Sequence, residues 1–496
     1  DSFVFQGFLD TNTKKINTYI EQKRVYGVKD LDQLKSKNHV EKLIIVNEEL
    51  GSKGKKEIIE HCLKLGIKVL TVPPSDQWVY GRLSLKQIKN LNIEDLLQRE
   101  PIVINNNLIE SEIRGKRILI TGAAGSIGSE IVRQVMGYNP GMIILCDQAE
   151  SALHEMQLEV EEKYPNTEIK IFIGSIQNFK RMNILFKEYH PEIIFHAAAY
   201  KHVPMMEKYP AEAVLTNVMG TKNIADLAVL FDAEKFVMIS TDKAVNPTNV
   251  MGTSKRIAEM YIQSLSNSEE NIFDQINFDY DNLQPFSKVS RTKFVTTRFG
   301  NVLDSSGSVI PRFRSQIEKG GPITVTHPDI TRYFMTIPEA VQLVLEAGIM
   351  GKGGEIFVFD MGKPVKIANL ALQMIHLAGL EPETDIKIVF TGLRPGEKLY
   401  EELLNEHEKT IATHHEKIKI AKVITCPYEQ VLHDIEELLL ISNYDDNFRL
   451  VKKMKDMVPE FISNNSQFEC LDEVKDESPA FAKMGKLDSA NVIIYN

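Results

Sequence analysis

Residues 117–128 read Arg-Ile-Leu-Ile-Thr-Gly-Ala-Ala-Gly-Ser-Ile-Gly. The first five form an apolar run typical of a buried strand, and a helical pattern continues from about Ser129. Gly122, Gly125 and Gly128 lie between them with the spacing G-x-x-G-x-x-G. Such a turn lets the backbone approach a pyrophosphate closely and aims a helix N-terminus at its negative charge. The stretch therefore predicts a dinucleotide-binding strand–turn–helix rather than a glycine-rich turn without a ligand.

An acidic residue supports this interpretation. Asp147 ends the next apolar run and lies 19 positions after Gly128. A carboxylate there can accept hydrogen bonds from both ribose hydroxyls and would repel a 2′-phosphate. We therefore expect NAD as the cofactor, and NADP is the less favoured alternative.

Further apolar runs predict a doubly wound parallel Rossmann sheet. Besides 117–121 and 142–146, these runs cover residues 169–173, 193–196, 235–239 and 293–297. In such a sheet, ligands bind at the carboxyl ends of the strands. The fold class is therefore α/β, with a substrate-binding lobe expected after the sheet.

The chain of 496 residues is long enough for about three domains. Strand-like runs at 3–9, 42–46 and 68–72 and a helical pattern at 54–65 predict a small parallel α/β unit at the start. The expected divisions are a small α/β domain (1–100), a linker (101–114), a Rossmann domain (115–300) with a surface insertion (266–290), a lobe with C-terminal helices (301–472) and a tail (473–496).

Composition excludes several classes of protein. The net charge of −10, from 68 acidic and 58 basic residues, argues against sequence-independent nucleic-acid binding. Four distant cysteines without a C-x-x-C pair argue against a disulfide framework or a zinc site, and His414-His415 lacks further ligands at metal-binding spacing. No apolar run reaches the length of a membrane span. The chain begins with Asp1 rather than Met, so we expect it to be a trimmed piece of a longer protein.

A charged pair follows the run 235–239. Asp242 and Lys243 would lie where ligands bind in an open α/β sheet, although such a pair is more often a solvated strand end. Met251 and Lys255 follow at i and i+4, and a thioether cannot exchange a proton.

Six segments together resemble the extended short-chain dehydrogenase/reductases that act as nucleotide-sugar 4,6-dehydratases. They cover residues 121–128 (TGAAGSIG), 196–204 (HAAAYKHVP), 240–247 (STDKAVNP), 251–255 (MGTSK), 298–302 (RFGNV) and 394–398 (RPGEK). The nearest match is the large polysaccharide-biosynthesis branch that dehydrates UDP-N-acetylglucosamine, and it extends over residues 115–405. Most short-chain dehydrogenases have a tyrosine at the position of Met251, and the polysaccharide-biosynthesis branch resembles this sequence in having methionine there.

This resemblance implies a reaction and a setting. C4 of the hexose is oxidised, water is eliminated across C5–C6, and the hydride returns to C6 with retained C5 configuration. It also implies a CoA-binding-like first domain, a homo-oligomer, and a cytoplasmic catalytic part that reaches the bacterial inner membrane only through an upstream segment.

The resemblance also implies site residues. Asp242 is the acid for the C6 hydroxyl and Lys243 the base at C5, so we expect a raised pKa for Asp242 and a lowered pKa for Lys243. The base for the C4 hydroxyl stays open between Lys243 acting at C4 as well as at C5, a relay through Thr241 and a bound water, with Lys243 preferred.

The site residues implied by the resemblance fall into three sets. Catalytic residues are Thr241, Asp242, Lys243, Met251 and Lys255. Cofactor-binding residues are Gly122, Gly125, Ser126, Ile127, Gly128, Asp147, Ser175, Ile176, Ala197, Ala198, Ala199, Tyr200, Asn217 and Lys255. Substrate-binding residues are Lys201, His202, Arg298, Asn301, Arg332, Arg394 and Glu397.

Three alternatives remain at this point. They are a C5-inverting dehydratase, a UDP-sugar 4-epimerase and a catalytically inactive NAD-binding regulator. The first two enzymes usually keep the tyrosine that Met251 replaces, whereas the loss of that hydroxyl favours the regulator.

Overall fold

The computed structural model describes residues 4–46, 52–72, 89–90, 102, 104–267, 291–404, 409–423, 425–444 and 446–472. Apart from Ser266 and Asn267, the predicted insertion at 266–290 lies outside these ranges, as does the predicted tail at 473–496.

The N-terminal unit contains two small three-stranded sheets. The predicted buried strand at 3–9 is wrong, because only Phe8–Leu9 pairs and Val4 and Phe5 are 79% and 52% exposed. The other predicted elements are confirmed with slightly different ends, and strands β4 and β5 are parallel as expected. The elements are β1 (Phe8–Leu9), β2 (Tyr19–Ile20), β3 (Lys23–Tyr26), α1 (Leu31–Asn38), β4 (Lys42–Ile45), α2 (Ser52–Lys64), β5 (Lys68–Thr71) and β6 (Lys89–Asn90).

Part of the predicted linker is a helix. Helix α3 (Asn106–Ile113) begins at Asn105, whose side chain accepts a hydrogen bond from the Leu108 N–H. Ile109 and Ile113 are buried against the sheet domain. The three consecutive Asn residues that suggested a loop thus include the N-cap of a helix, a position that Asn favours.

A nine-stranded sheet forms the centre of the molecule, and it confirms the predicted doubly wound architecture. Its strands are β7 (Arg117–Thr121), β8 (Met142–Asp147), β9 (Glu168–Ile173), β10 (Ile193–His196), β11 (Lys235–Thr241), β12 (Lys293–Phe299), β17 (Glu355–Phe359), β20 (Lys409–Ala412) and β21 (Ile418–Lys422). The order is β20-β21-β17-β12-β11-β10-β7-β8-β9. The pairs β17–β21 and β20–β21 are antiparallel, and the other pairs of this sheet are parallel. The chain reverses its direction of travel between β7 and β10, which is where ligands bind in such sheets.

Helices cover both faces of the sheet. Alternate strand residues point to opposite faces, so Ile118 packs with one helix layer and Leu119 with the other. One layer contains α3, α4 (Ser126–Met136), α5 (Glu150–Lys163) and α12 (Ile337–Met350). The other contains α6 (Phe179–Tyr189), α9 (Gly220–Leu230) and α10 (Val250–Ser266), and it is covered in turn by α14 (Tyr428–Ser442) and α15 (Asn447–Met457).

The remaining elements are short and mostly belong to the C-terminal lobe. Helices α7 (Val203–Lys208) and α8 (Pro210–Ala213) lead into a π-helical turn (Val214–Met219) before α9. The lobe contains α11 (Val309–Glu318), α13 (Ile367–Leu377) and three strand pairs. These pairs are β13 (Asn301–Val302) with β16 (Phe334–Met335), β14 (Ile323–Val325) with β19 (Ile388–Phe390), and β15 (Thr331–Arg332) with β18 (Val365–Lys366).

The N-terminal unit shares its core with this lobe. Helix α2 packs on α13, and Ile59 and Cys62 belong to the same apolar cluster as Leu370 and Phe313. Burial raises the pKa of the Cys62 thiol to about 12, so this cysteine is a packing residue. None of the helices in the described ranges combines the length and the apolar character needed to cross a lipid bilayer.

Because this core is shared, Ile59→Ala should destabilise the lobe as well as the N-terminal unit. Ile59 is completely buried, and truncating such a side chain costs about 2–5 kcal/mol. Denaturant unfolding followed by lobe-specific and N-terminal fluorescent labels should show one transition at a lower midpoint. Ile44→Ala, at an exposed position of β4, is the control. An N-terminal transition that moves alone would contradict the shared core.

Candidate active site

A cavity of about 590 Å³ opens at the carboxyl ends of the central strands and continues between the sheet and the lobe. Its wall contains the glycine turn after β7, the ends of β10, β11 and β12, and the lobe residues Arg332, Glu397 and Glu401. The site residues predicted from distant parts of the sequence are therefore largely brought together.

The glycine turn is shaped for close approach of a ligand. Gly122 has φ of 68°, and a Cβ there would lie 2.7 Å from the backbone of Ala198. A Cβ on Gly128 would lie 2.0 Å from the Gly122 carbonyl oxygen. Helix α4 begins at Ser126, not at Ser129 as predicted, so Gly128 lies in its first turn. This cradle fits a dinucleotide pyrophosphate, since the first turn of α4 lines the cavity and the leading N–H groups of a helix have no intrahelical partner.

Only part of the predicted cofactor set borders the cavity. The residues that do are Gly122, Gly125, Ser126, Ile127, Gly128, Ala197, Ala199, Tyr200 and Lys255. Asp147 lies beyond the cavity at the end of β8, where its two carboxylate oxygens accept the N–H groups of Ala124 and Ala149, each at 3.0 Å. Ser175 is half-buried, and Ile176 packs against Gly220.

Asn217, predicted among the cofactor-binding residues, holds two elements of the site together. It is fully buried in the π-helical turn. Its amide accepts the Tyr200 N–H at 2.8 Å and donates to the Tyr200 carbonyl at 3.0 Å and to the Ser254 hydroxyl at 2.9 Å. The side chain therefore connects the loop after β10 to helix α10.

A compact group of charges lies at the end of β11. Lys243 Nζ donates to Asp242 Oδ1 and to Asn301 Oδ1, each at 2.9 Å. The Thr241 hydroxyl also donates to Asp242 Oδ1 at 2.9 Å. Asp242 is almost completely buried, whereas Lys243 lines the cavity. The solvated strand-end interpretation is therefore wrong for this pair.

The expected lowering of the Lys243 pKa is also wrong. Burial alone would lower the pKa of this amine, but the carboxylates of Asp242 and Glu401 outweigh burial and raise the pKa. Arg332, the nearby positive charge, opposes them only in part. The two carboxylates therefore favour the ammonium form of Lys243 over the neutral amine.

Sequence reasoning missed Glu401. Its carboxylate lies 3.9 Å from Lys243 Nζ and 3.5 Å from Arg332 Nε, and it lines the cavity. Glu401 lies three positions after the segment 394–398. That segment indicates that Glu401 is near the substrate-binding lobe, but it does not indicate the contact with Lys243.

Met251 and Lys255 lie one turn apart on α10 and both face the cavity. Burial lowers the pKa of the Lys255 amine to about 8, against the opposing effect of the Glu259 carboxylate. Lys255 can therefore supply positive charge at neutral pH, but Met251 offers no proton.

Arg298 does not belong to the substrate set, which corrects the prediction. Its side chain is 1% exposed, and its guanidinium donates to both oxygens of Glu259 at 2.8 and 2.6 Å. The Ser240 hydroxyl donates to the same carboxylate at 2.6 Å. Arg298 thus neutralises a buried acid of helix α10, and the residues of the predicted set that line the cavity are Lys201, His202, Asn301, Arg332, Arg394 and Glu397.

Comparison with known proteins agrees with this geometry. The sequence model of a family described as "Polysaccharide biosynthesis protein" matches residues 118–423, which is more than half of the chain. The chain belongs to this family. The resemblance to extended short-chain dehydrogenase/reductases of polysaccharide biosynthesis is thereby confirmed.

Individual relatives support the family assignment. The capsular polysaccharide biosynthesis protein CapD of Staphylococcus aureus is 46% identical over 445 residues, which cover 88% of this chain and 71% of CapD. A UDP-glucose 4-epimerase of Rickettsia bellii (strain OSU 85-389) is 34% identical over 294 residues, which cover 59% of this chain and 79% of the epimerase. The solved structure of Pen from Bacillus thuringiensis matches with a TM-score of 0.55 and 33% identity, over 64% of this chain and 91% of Pen.

In this member of the family, residues 461–472 hold one wall of the cavity; we call them the C-terminal strap. The Gly396 N–H donates to the Asn464 carbonyl at 2.8 Å, and the Asn464 side chain donates to the Glu397 carbonyl at 2.9 Å. The Asn465 side chain donates to the Leu393 carbonyl at 2.6 Å. The strap therefore fixes the loop that carries Arg394 and Glu397.

The strap is anchored to helix α10 as well. The Ser466 hydroxyl donates to Glu207, whose other oxygen accepts the N–H of Val250, the first residue of α10, at 2.7 Å. Lys455 donates to the Ser463 hydroxyl at 2.8 Å and pairs with Asp472. The strap thus connects the Arg394 loop to the helix that carries Met251 and Lys255.

Replacing Arg298 by Met should destabilise the protein by about 3–5 kcal/mol, because the buried Glu259 charge loses its bidentate partner. Chemical unfolding measures this loss. The control is Arg314→Met, because Arg314 pairs with Asp304 at 3.4 Å with its side chain 53% exposed; it should change stability by less than about 0.5 kcal/mol. Equal effects of the two variants would contradict the structural role of Arg298.

Asn464→Ala should loosen the Arg394 loop. Loss of one hydrogen bond corresponds to about 0.5–1.5 kcal/mol, or a two- to tenfold faster amide exchange. Hydrogen–deuterium exchange of residues 393–398 measures this change. In the control Asn443→Ala, the lost bond is to Leu439 at the end of α14, and exchange of the loop should stay unchanged.

Proposed function

We propose that this chain is an NAD-dependent nucleotide-sugar 4,6-dehydratase. It would convert UDP-N-acetylglucosamine to the 4-keto-6-deoxy sugar with retention of configuration at C5. The observation that carries the proposal is the buried amine–carboxyl group of Lys243, Asp242 and Glu401 beside the dinucleotide cradle. Elimination of water from a hexose needs both a base and an acid, whereas epimerisation at C4 needs neither a C5 base nor a C6 acid.

The cofactor part of the proposal rests on the cradle around Gly122. The N–H groups at the start of α4 would hold the pyrophosphate, and Asp147 would accept the ribose hydroxyls, which favours NAD over NADP. Lys255 would hold the second ribose. When bound, the nicotinamide supplies an acceptor and donor for one hydride.

Lys243 is the proposed base at C5. It borders the cavity and is held by two hydrogen bonds, so its position in the site is fixed. Because Asp242 and Glu401 raise its pKa, the amine would have to give up a proton before it acts as a base. A single amine that removes and returns the C5 proton acts on one face of the ring, which is the physical reason to expect retention. Thr241 lines the cavity next to it and could relay the C4 proton to the same amine.

The substrate part rests on the polar residues between sheet and lobe. Lys201, His202 and Arg394 offer positive charge or hydrogen bonds to a diphosphate. Burial lowers the pKa of Lys201, and burial together with Lys201 and Arg394 lowers the pKa of His202, so His202 would bind as a neutral donor. Asn301, Arg332 and Glu397 would contact the sugars.

The similarity to CapD supports a place in surface polysaccharide synthesis. A bacterial cytoplasmic location of this part, a membrane segment upstream of it and a homo-oligomeric state remain proposals from the family resemblance.

The test is incubation of the purified protein with UDP-N-acetylglucosamine in deuterated water, followed by NMR of the product. We expect a 4-keto-6-deoxy sugar with retained C5 configuration. An inverted C5 would point to the other dehydratase class, UDP-N-acetylgalactosamine to a 4-epimerase, and absence of turnover with NAD bound to a regulator. Each of these three outcomes would overturn the proposal.

Lys243→Ala should reduce product formation by about 100-fold or more, the usual contribution of a general base. Bound cofactor, quantified after release by denaturation, should stay at the wild-type level, because Lys243 does not belong to the cradle. Lys366→Ala removes a lysine that is paired with Asp329 on the lobe surface, and it should leave turnover unchanged. Near-normal turnover of Lys243→Ala would contradict the assignment of the base.

A further inference from the structure

Asn249, which immediately precedes helix α10, uses both ends of its side-chain amide. Its Oδ1 accepts the Gly252 N–H at 2.7 Å and thereby caps the helix. Its Nδ2 donates to the Gly396 carbonyl at 3.0 Å, in the Arg394 loop (residues 393–398). A backbone N–H can only donate and a carbonyl can only accept, so these two partners determine the orientation of the amide. The side chain therefore joins the helix directly to the loop.

Capping alone does not require an asparagine at this position. Ser and Asp cap a helix about as well as Asn, because capping uses only an acceptor oxygen. The donor nitrogen of Asn249 is used for the Arg394 loop instead. Asn249 is 4% exposed and borders the cavity, and its oxygen and nitrogen are each bonded within the protein. These bonds point to a role in holding the site together rather than in chemistry.

The loop and the helix start are in close contact at Gly396. A Cβ on Gly396 would lie 2.6 Å from the Asn249 Cβ, so a side chain there would push the two segments apart. The Gly396 carbonyl also accepts the Thr248 hydroxyl at 3.2 Å. Lys398 Nζ donates to the Val245 carbonyl at 3.2 Å. The segment that leads into α10 thus holds the loop at several points.

Both backbone groups of Gly396 are bonded to other segments. Its N–H donates to the Asn464 carbonyl of the C-terminal strap at 2.8 Å, and its carbonyl accepts from Asn249 and Thr248. The strap holds one side of this residue and the helix start holds the other. Removal of the Asn249 bond would therefore weaken the connection to the helix and leave the connection to the strap in place.

The first turn of α10 also packs against the backbone of Lys243. A Cβ on Gly252 would overlap the Lys243 carbonyl oxygen, so only a glycine allows this approach. Met251 lies in the same turn and Lys255 one turn later, and both line the cavity. A displacement of the helix start would therefore reach the backbone of Lys243 as well as Met251.

We propose that Asn249 is a positioning residue that couples the Arg394 loop to the start of helix α10. A nucleoside diphosphate held by Arg394 then also fixes the helix turn against which Lys243 is packed. This inference rests on the substrate part of the proposed function, because it takes the Arg394 loop as the place of the diphosphate. Binding energy from the nucleotide, which is remote from the reacting sugar, would thus contribute to orientation at the sugar.

The test uses the purified protein with NAD added and UDP as the probe. In the wild type, UDP should slow hydrogen–deuterium exchange at residues 393–398 and also at residues 250–255, because the loop and the helix start are joined. Asn249→Ser keeps a capping oxygen but loses the amide donor to Gly396. UDP should still slow exchange of the loop in this variant. Its effect on residues 250–255 should fall about two- to tenfold, the range for the loss of one hydrogen bond.

Further variants separate coupling from folding. In Asn249→Ser, the dissociation constant of UDP should rise about two- to tenfold, while the thermal unfolding midpoint stays near the wild-type value because the helix is still capped. Asn249→Ala removes the cap as well and should also lower the midpoint. Thr248→Val removes the other side-chain bond to the Gly396 carbonyl and should likewise raise the dissociation constant.

Asn105→Ser is the matched control. It makes the same substitution at the N-cap of α3, whose buried residues Ile109 and Ile113 pack in the opposite helix layer. It should change neither the dissociation constant of UDP nor the effect of UDP on residues 250–255.

Three results would each overturn the inference. They are a wild type in which UDP does not slow exchange at residues 250–255, an Asn249→Ser variant that retains the full wild-type effect there, and an unchanged dissociation constant in that variant. None of these measurements depends on turnover. A wild type that shows the expected effects of UDP but forms no 4-keto-6-deoxy sugar would refute the dehydratase activity and leave the coupling in place.

Discussion

Lys243 is an amine with little access to water, and three parts of the fold meet to compensate its charge. Asp242 comes from the end of β11, Asn301 from β13, and Glu401 from the segment beyond the Arg394 loop. An unpaired ammonium ion at this depth would be lost to neutralisation. The charge of the Lys243 ammonium ion must therefore be compensated by residues from these segments. Arg332 in turn neutralises the second carboxylate, that of Glu401.

The parallel sheet makes that meeting possible. Its central strands end at one edge, so the turn after β7 and the charged residues after β11 lie on the same side. Small residues let the loops approach each other there, as Gly122 does against the backbone of Ala198. The glycine turn after β7 and Lys243 thus line one cavity, although more than a hundred residues separate them in the chain.

The sequence revealed the features that depend on neighbours in the chain. Alternating apolar runs identified the strands of the sheet, and the glycine spacing identified the cradle. Features that depend on distant partners could not be predicted from the sequence. Arg298 has the sequence context of a phosphate ligand, but its partner is the buried Glu259. No local pattern around Glu401 indicates its contact with Lys243. The run at 3–9 predicts a buried strand but forms one only at Phe8–Leu9, because apolar content alone does not show whether a partner strand exists. The direction of the Lys243 pKa shift likewise depends on a distant partner, because the Glu401 carboxylate joins Asp242 in outweighing the effect of burial.

The C-terminal strap has a consequence for the synthesis of the protein. Residues 461–472 hold the Arg394 loop against helix α10 through Asn464 and Ser466. A ribosome adds these residues only after all nine strands of the central sheet have been translated, so the contacts that fix the Arg394 loop are among the last that can form. Premature termination near residue 460 would leave the sheet sequence intact but remove Asn464, Asn465 and Ser466, so the Arg394 loop would lose the contacts that fix its place beside helix α10.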